Sequence, residues 1–188
     1  MIGLVLAGGR ARRMGGESKA ALALAGRALV DRPLEALASV CGRVAVVCKP
    51  STLLPTLPAG VERWEEPAEP VHPLAGLTFA LRHAGEEVLV CAADMPFVGL
   101  EELQAMKEAA RDDHGARAVV AEAGGRLEPL LAVYRPTALA VLREAPERAR
   151  LTAVVERLEP VRVAVPEAAV RSVNTPEELA AAEAELAG

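Results

Sequence analysis

The segment from Leu6 to Lys19 reads LAGGRARRMGGESK and gathers four glycines, three arginines and a lysine into one short stretch. Gly8, Gly9, Gly15 and Gly16 carry no Cβ, so backbone N–H groups there can turn inward and approach a ligand closely. Arg10, Arg12, Arg13 and Lys19 add a local positive field to a chain whose formal net charge is −5. Glycine density with clustered cations after an apolar strand describes a site for nucleotide phosphates. The spacing matches neither G-x-x-x-x-G-K-[ST], because Glu17 and Ser18 separate Gly16 from Lys19, nor G-x-G-x-x-G. The plainer alternative is a solvated arginine-rich loop.

Asp94 supplies the opposite charge. It ends the apolar run VLVCAAD and is followed by Met95-Pro96. A carboxylate at the carboxyl end of a central strand faces the same rim as a glycine loop leaving a first strand. Transfer between phosphates sets anion against anion, and a divalent cation with hard oxygen ligands, Mg²⁺, relieves that repulsion. Lys19, Asp94 and Arg13 are therefore the candidate catalytic residues, with Asp94 as metal ligand. The competing reading of Asp94 is a turn cap before proline. Asn174, the only asparagine, contacts an acceptor or shapes the turn into the last helix. His72, His83 and His114 are scattered without metal-ligand spacing. Arg126 and Arg135 flank the EPLL segment, where they meet an acceptor phosphate or stay exposed. The acidic pairs Glu101-Glu102 and Glu177-Glu178 read as solvated helix faces.

Apolar runs separated by turn residues supply the elements that position these groups. Strands are expected over Ile2 to Ala7, Arg43 to Cys48, Glu87 to Cys91, Ala116 to Ala121, Leu130 to Tyr134 and Val161 to Val165, with a short one at Val61 to Trp64. Helical patterns alternate with them. Pro33 to Val40 is one, and Leu74, Leu77 and Leu81 mark another that Gly85 can close. Leu103, Met106 and Ala110 mark a third, and Thr137 to Glu144 and Thr152 to Leu158 two more. Thr175-Pro176-Glu177-Glu178 has the capping threonine, first-turn proline and glutamate of a capping box. Alternation of this kind predicts an α/β fold in three layers, α/β/α, around a mainly parallel Rossmann-like sheet. Thr52 to Pro70 reads as a long Pro-rich connection, and no linker divides residues 1–188 into two domains.

Composition excludes several classes. Hydrophobic residues make up 52% and charged residues 25%, so the chain is not disordered. Aromatics at 2% leave too few stacking platforms for single-stranded nucleic acid. No apolar run reaches membrane-spanning length and the first residues lack a signal-peptide pattern. Cys41, Cys48 and Cys91 are an odd number without metal-ligand spacing, which indicates free thiols and a cytoplasmic location.

The pattern L-A-G-G-x-x-x-R-M-G-G-x-x-K resembles the signature of the molybdenum cofactor guanylyltransferases (MobA type), nucleotidyltransferases with a glycosyltransferase-A-like fold. HPLAGL from His72, AADMPF from Ala92, EPLLAVYR from Glu128 and VNTPEEL from Val173 agree in the same order. The resemblance implies transfer of GMP from GTP to the phosphate of molybdopterin, with Mg²⁺ as cofactor. It also implies Leu6, Ala7, Gly8 and Gly9 around the nucleoside, and Lys19 on the phosphates. Asp94 falls on the metal, and Glu65 where the family has an aspartate contacting the nucleotide. It assigns Asn174 to the acceptor, and molybdoenzymes or their chaperones as partners of a monomer or weak homo-oligomer. Ser18 stands where the family has an acidic residue, His72 where it has glycine, and Glu65 is one methylene longer than the aspartate. Alternatives in the same fold are the cytidylyltransferase of this cofactor pathway, usually L-A-A-G at the loop, and sugar-1-phosphate enzymes. A non-catalytic nucleotide-binding module is the alternative of another class.

Overall fold

A computed structural model describes residues 1–8 and 19–187. The apolar run after Met1 forms β1 (Ile2–Leu6), and β2 (Ala23–Leu24) pairs with β3 (Arg27–Ala28) in a small hairpin. Then come α1 (Asp31–Val40), β4 (Val44–Cys48), β5 (Val61–Glu65), α2 (Pro73–Ala84), β6 (Val88–Ala92) and α3 (Leu100–Asp112). The remainder is β7 (Ala118–Ala123), β8 (Arg126–Tyr134), α4 (Leu139–Glu144), α5 (Leu151–Glu156), β9 (Val161–Ala164) and α6 (Pro176–Ala187). The long connection from Thr52 contains the edge strand β5.

Seven strands form one sheet in the order β5-β4-β1-β6-β8-β7-β9. Every pairing is parallel except those of β8, which runs against both β6 and β7. Strands buried on both faces have no polar side, which is why β1, β4 and β6 read as unbroken apolar runs. One face, carrying Val5, Val46, Leu89 and Val133, packs under α1 and α3. The other, carrying Leu4, Val47, Val90 and Ala132, packs under α2, α4 and α5. The three-layer arrangement expected from alternation is the one observed.

Local chemistry sets the boundaries. Gly85 closes α2 in the left-handed conformation, φ 64°, where glycine carries no steric cost. β8 starts four residues before the expected Leu130, and its register with β7 shifts between Val120 and Ala121. Pro129 lies in that irregular stretch, where a residue without an N–H leaves no ladder bond unmade. The hairpin β2–β3 turns on Ala25 and Gly26, both at positive φ. Arg135, expected at an acceptor phosphate or in solvent, instead fastens α3 to β8. Its guanidinium donates to the carbonyls of Asp113 (2.8 Å), Ala116 and Ala110 and pairs with Glu87 at 3.1 Å.

β1 and α1 approach most closely at Gly3, where an added Cβ would lie 3.1 Å from the Leu37 Cβ and 3.3 Å from the Cys41 Cβ. Neither neighbour is a flexible tip, so the helix must move away. Gly3→Ala is expected to destabilise the protein by about 1–3 kcal/mol, the usual cost of overpacking. Chemical denaturation of the two proteins checks this, and equal midpoints would show that the layer accommodates the methyl group.

Candidate active site

Because β5, β4, β1 and β6 are parallel, their carboxyl ends open on one rim. The ladder continues past β1 on both sides: Ala7 N–H donates to the Val47 carbonyl (2.8 Å) and Ala93 N–H to that of Leu6 (3.1 Å). A cavity of about 280 Å³ lies there, comparable with the lower end of small-molecule sites. Leu6, Ala7 and Gly8 line it after β1, Val47 from β4, and Ala92 to Asp94 after β6. His72, Pro73 and Gly76 line it from the start of α2, Leu130 from β8, and Lys19 and Ala20 from a single 3-10 turn. The expected contributions of Leu6, Ala7, Gly8, Lys19 and Asp94 thus meet in one place. Gly9 and Arg13 lie outside the described residues.

Three residues far apart in sequence converge at the mouth. The Lys19 ammonium donates to Asp94 Oδ2 at 3.1 Å and to Asn174 Oδ1. Lys19 and Asp94 side chains are 19% and 23% exposed, so the pair is open enough to exchange partners. Asn174 is held there by backbone bonds. Val173 N–H donates to the Asp94 carbonyl at 2.8 Å, fastening the approach to α6 against the end of β6. Glu178 Oε2 accepts from the N–H groups of Asn174 (2.6 Å) and Thr175 (3.1 Å), while Thr175 Oγ1 accepts from Glu178 N–H (3.2 Å). The capping box expected from TPEE is therefore what orients the asparagine. Glu178, on the exposed face of α6, is thus also a capping residue.

The base of the cavity corrects the reading of Glu65. That carboxylate is 49% exposed and bonds Arg63 at 2.9 Å, away from the cavity. Glu66 is the carboxylate inside. Consecutive residues leaving a strand point to opposite faces, so one position of error inverts the side. Glu66 N–H donates to the Cys48 carbonyl (3.0 Å), and its side chain, 5% exposed, pairs with Lys49 at 3.1 Å. Burial pushes the Glu66 carboxyl above the usual carboxylate range, and the hydrogen bond from Lys49 opposes that shift. The glycines explain how it fits. A Cβ at Gly8 would lie 2.8 Å from Glu66 Oε1, and one at Gly76 3.4 Å away. Sequence reasoning missed the Lys49–Glu66 pair, although a lysine closing an apolar strand in a lysine-poor chain was a usable signal.

Other polar groups take lesser positions. His72 caps α2, its Nδ1 accepting from Leu74 N–H at 3.2 Å, and also lines the cavity. His83 packs against Trp64 and Phe79, and His114 is exposed. Arg126 lines a separate polar cavity with Glu128 and Glu167. Burial raises the Glu128 carboxyl, and the charge of Asp94 acts in the same direction. Among the described residues no group of three or more His, Cys, Asp or Glu could hold a metal ion. The hard oxygens of Asp94 and Asn174 fit Mg²⁺ in the manner of sites where a carboxylate and substrate phosphates share the ion. Among the described residues, too, no helix is long and apolar enough to cross a membrane.

A mainly parallel Rossmann-like sheet thus gathers an ammonium, a carboxylate and an amide at its carboxyl rim, where open α/β sheets bind ligands. Residues 3–163 match the family model of the MobA-like NTP transferase domain, and the chain belongs to that family. A molybdenum cofactor guanylyltransferase of Cereibacter sphaeroides is 36% identical over 195 aligned residues, covering 99% of this chain and 97% of that one. A probable molybdenum cofactor guanylyltransferase of Mycobacterium tuberculosis is 37% identical, covering 87% and 83%. The crystal structure of molybdopterin-guanine dinucleotide biosynthesis protein A from Archaeoglobus fulgidus superposes with a TM-score of 0.76 at 26% identity, covering 100% and 99%.

The Gly8–Glu66 contact yields a test of the cavity itself. Gly8→Ala is expected to displace the Glu66 carboxylate and weaken nucleotide binding about tenfold, a change worth 1.4 kcal/mol. Gly42→Ala, where an added Cβ meets nothing within 4 Å, is the control. Nucleotide titrations of both variants that coincide with wild type would remove this cavity as the nucleoside site.

Proposed function

We propose that the protein transfers GMP from GTP to the phosphate of molybdopterin, forming the guanine dinucleotide cofactor and releasing pyrophosphate. The observation carrying this reading is the Lys19–Asp94–Asn174 cluster beside a nucleoside-sized cavity, in a chain whose full-length relatives are named guanylyltransferases. Molybdopterin as acceptor follows from those relatives' names.

An acceptor phosphate oxygen attacks the α-phosphorus of GTP in line. A new P–O bond forms as the bond to the β-phosphate bridging oxygen breaks, and that oxygen leaves with the electron pair as pyrophosphate. The acceptor phosphate is already ionised near neutral pH, so no general base is needed. Lys19 lies on the side of the cavity where charge accumulates on the phosphates, and its stabilising effect is greatest where water is excluded. Asp94, with Asn174 beside it, would hold a Mg²⁺ ion, which would supply neutralisation of charge on the phosphates. Glu66 meets the nucleoside. An ionised carboxylate only accepts hydrogen bonds, and guanine offers two adjacent donors, N1–H and the 2-amino group, on one edge. Cytosine presents acceptors along most of its equivalent edge, so the same carboxylate disfavours it. The free, buried thiols of Cys41, Cys48 and Cys91 suit a reducing cytoplasm.

Pyrophosphate release with molybdopterin, Mg²⁺ and each of GTP, CTP, ATP and UTP is the direct test, and GTP is expected to be preferred. A preference for CTP would overturn the guanylyl assignment. Asp94→Asn removes a charge with almost no change of volume, and turnover should fall at least about 10²-fold, the scale of single electrostatic contributors. Lys19→Ala should lower both GTP affinity and kcat, whereas Arg111→Ala on α3 should change neither. Indistinguishable kinetics for the two would remove Lys19 from the phosphate site.

A further inference from the structure

Lys49 is one of three lysines in the chain, and its position is unusual for that residue type. It follows β4 directly, and its side chain is 7% exposed. The ammonium has three oxygen partners: Glu66 Oε2 at 3.1 Å, the Pro67 carbonyl at 2.7 Å and the Pro70 carbonyl at 2.7 Å. Two of its donors are bound to the carbonyls and its charge is paired with Glu66, so the ammonium is committed to these oxygens of the fold.

Glu66 is bound asymmetrically. Oε2 is taken by Lys49, while Oε1 lies against Gly8 at the wall of the nucleoside cavity, and Gly76 faces both oxygens equally. One oxygen is anchored and the other is aimed inward. Lys49 and Glu66 also line a second cavity, of about 370 Å³, and Glu66 borders both. From these contacts we infer that Lys49 is a positioning residue for nucleobase selection, acting by anchoring the Glu66 carboxylate so that it is aimed at the donor edge of the base. This rests on the reading of Glu66 as the guanine contact.

The physical argument concerns what Glu66 would become alone. Burial favours the neutral acid, and the Lys49 hydrogen bond and charge are what oppose it. A neutral carboxyl carries an O–H donor, so it meets one of guanine's two donors with a donor of its own. Without the anchor on Oε2 the group can also rotate away from Gly8. Loss of Lys49 should thus erode selection for the 2-amino group while leaving the phosphate-handling residues untouched.

The competing explanation is that Lys49 merely fastens the turn from Pro67 to Pro70. A double-mutant cycle in the full chain separates the two, comparing wild type, Lys49→Met, Glu66→Gln and the double variant. Binding of GTP and of inosine triphosphate, which lacks the 2-amino group, is measured at about pH 8 and about pH 6, with kcat at saturating GTP. Wild type should favour GTP by about tenfold or more, and Lys49→Met and Glu66→Gln should each narrow that to below about threefold. Turnover of Lys49→Met at saturating GTP should stay within about threefold of wild type. The double variant should match Glu66→Gln in discrimination, because with the carboxylate gone there is no charge left for Lys49 to position, whatever its bonds to the Pro67 and Pro70 carbonyls hold in the turn. In Lys49→Met alone, GTP affinity should fall more from the higher to the lower pH than in wild type, in the direction of proton uptake by Glu66. His72, Lys19 and Asp94 face the same cavity in all four proteins, so the additional pH response of Lys49→Met belongs to Glu66.

Lys49→Met that keeps wild-type discrimination while Glu66→Gln loses it would overturn the positioning role. Glu66→Gln with wild-type discrimination would overturn the guanine contact and this inference with it. Should Lys49→Met fail to fold, the double variant, which buries no unpaired charge, decides. Discrimination lower than that of Glu66→Gln would show that Lys49 acts by another route, and equality would support the proposal.

Discussion

Everything at the site depends on parallel pairing at the centre of the sheet. β1 is bonded to β4 on one side and β6 on the other, both parallel, and β5 continues the direction beyond β4. Parallel strands place all their carboxyl ends together, so residues 6–8, 49, 66 and 94 emerge on one rim whatever the lengths of chain between them. β8 is the exception, and its reversed direction presents a bulged stretch instead of a strand end. That stretch brings Leu130 to the cavity wall and Glu128 into the neighbourhood of Asp94. Asn174 arrives differently, from a loop whose backbone bonds to the end of β6.

What the sequence made legible follows from which patterns are local. Strands buried on both faces are unbroken apolar runs, and helix ends carry caps, so most elements and the capping box at Thr175 could be read directly. The convergence of Lys19 and Asp94 could be read too, since open α/β sheets put ligands at strand ends. The failures share a cause, which is that one residue decides a side or a direction. Glu65 and Glu66 are chemically identical neighbours, and only strand alternation tells which points inward. Ala25 at φ 51° turns a hairpin without the Asn-Gly or Asp-Gly that announces such turns. Pro129 argues against a strand that nonetheless continues through it by bulging. Arg135 looked available because its partners are backbone carbonyls, which no side-chain pattern records.

The lysines show a related economy. Arginine carries most of the positive charge, yet each of the three lysines is directed at oxygens of the fold. Lys107 donates to the Val40 carbonyl at the end of α1, Lys49 to Glu66 and two carbonyls, and Lys19 to Asp94 and Asn174. A compact ammonium on a flexible stem presents its donors around a point, whereas Arg135 spreads its planar guanidinium over three carbonyls and Glu87.

One feature of β5 makes the molecule its own reporter. Trp64, the single tryptophan, is 6% exposed, its indole N–H donates to Glu62 at 3.0 Å, and its ring lies 4.5 Å from that of His83. Glu66 is two residues further along the same strand's exit. Excited at the red edge of its absorption, where Tyr134 does not contribute, the unlabelled protein emits from one indole. A spectroscopist can follow that edge of the sheet during ligand titrations without introducing a dye.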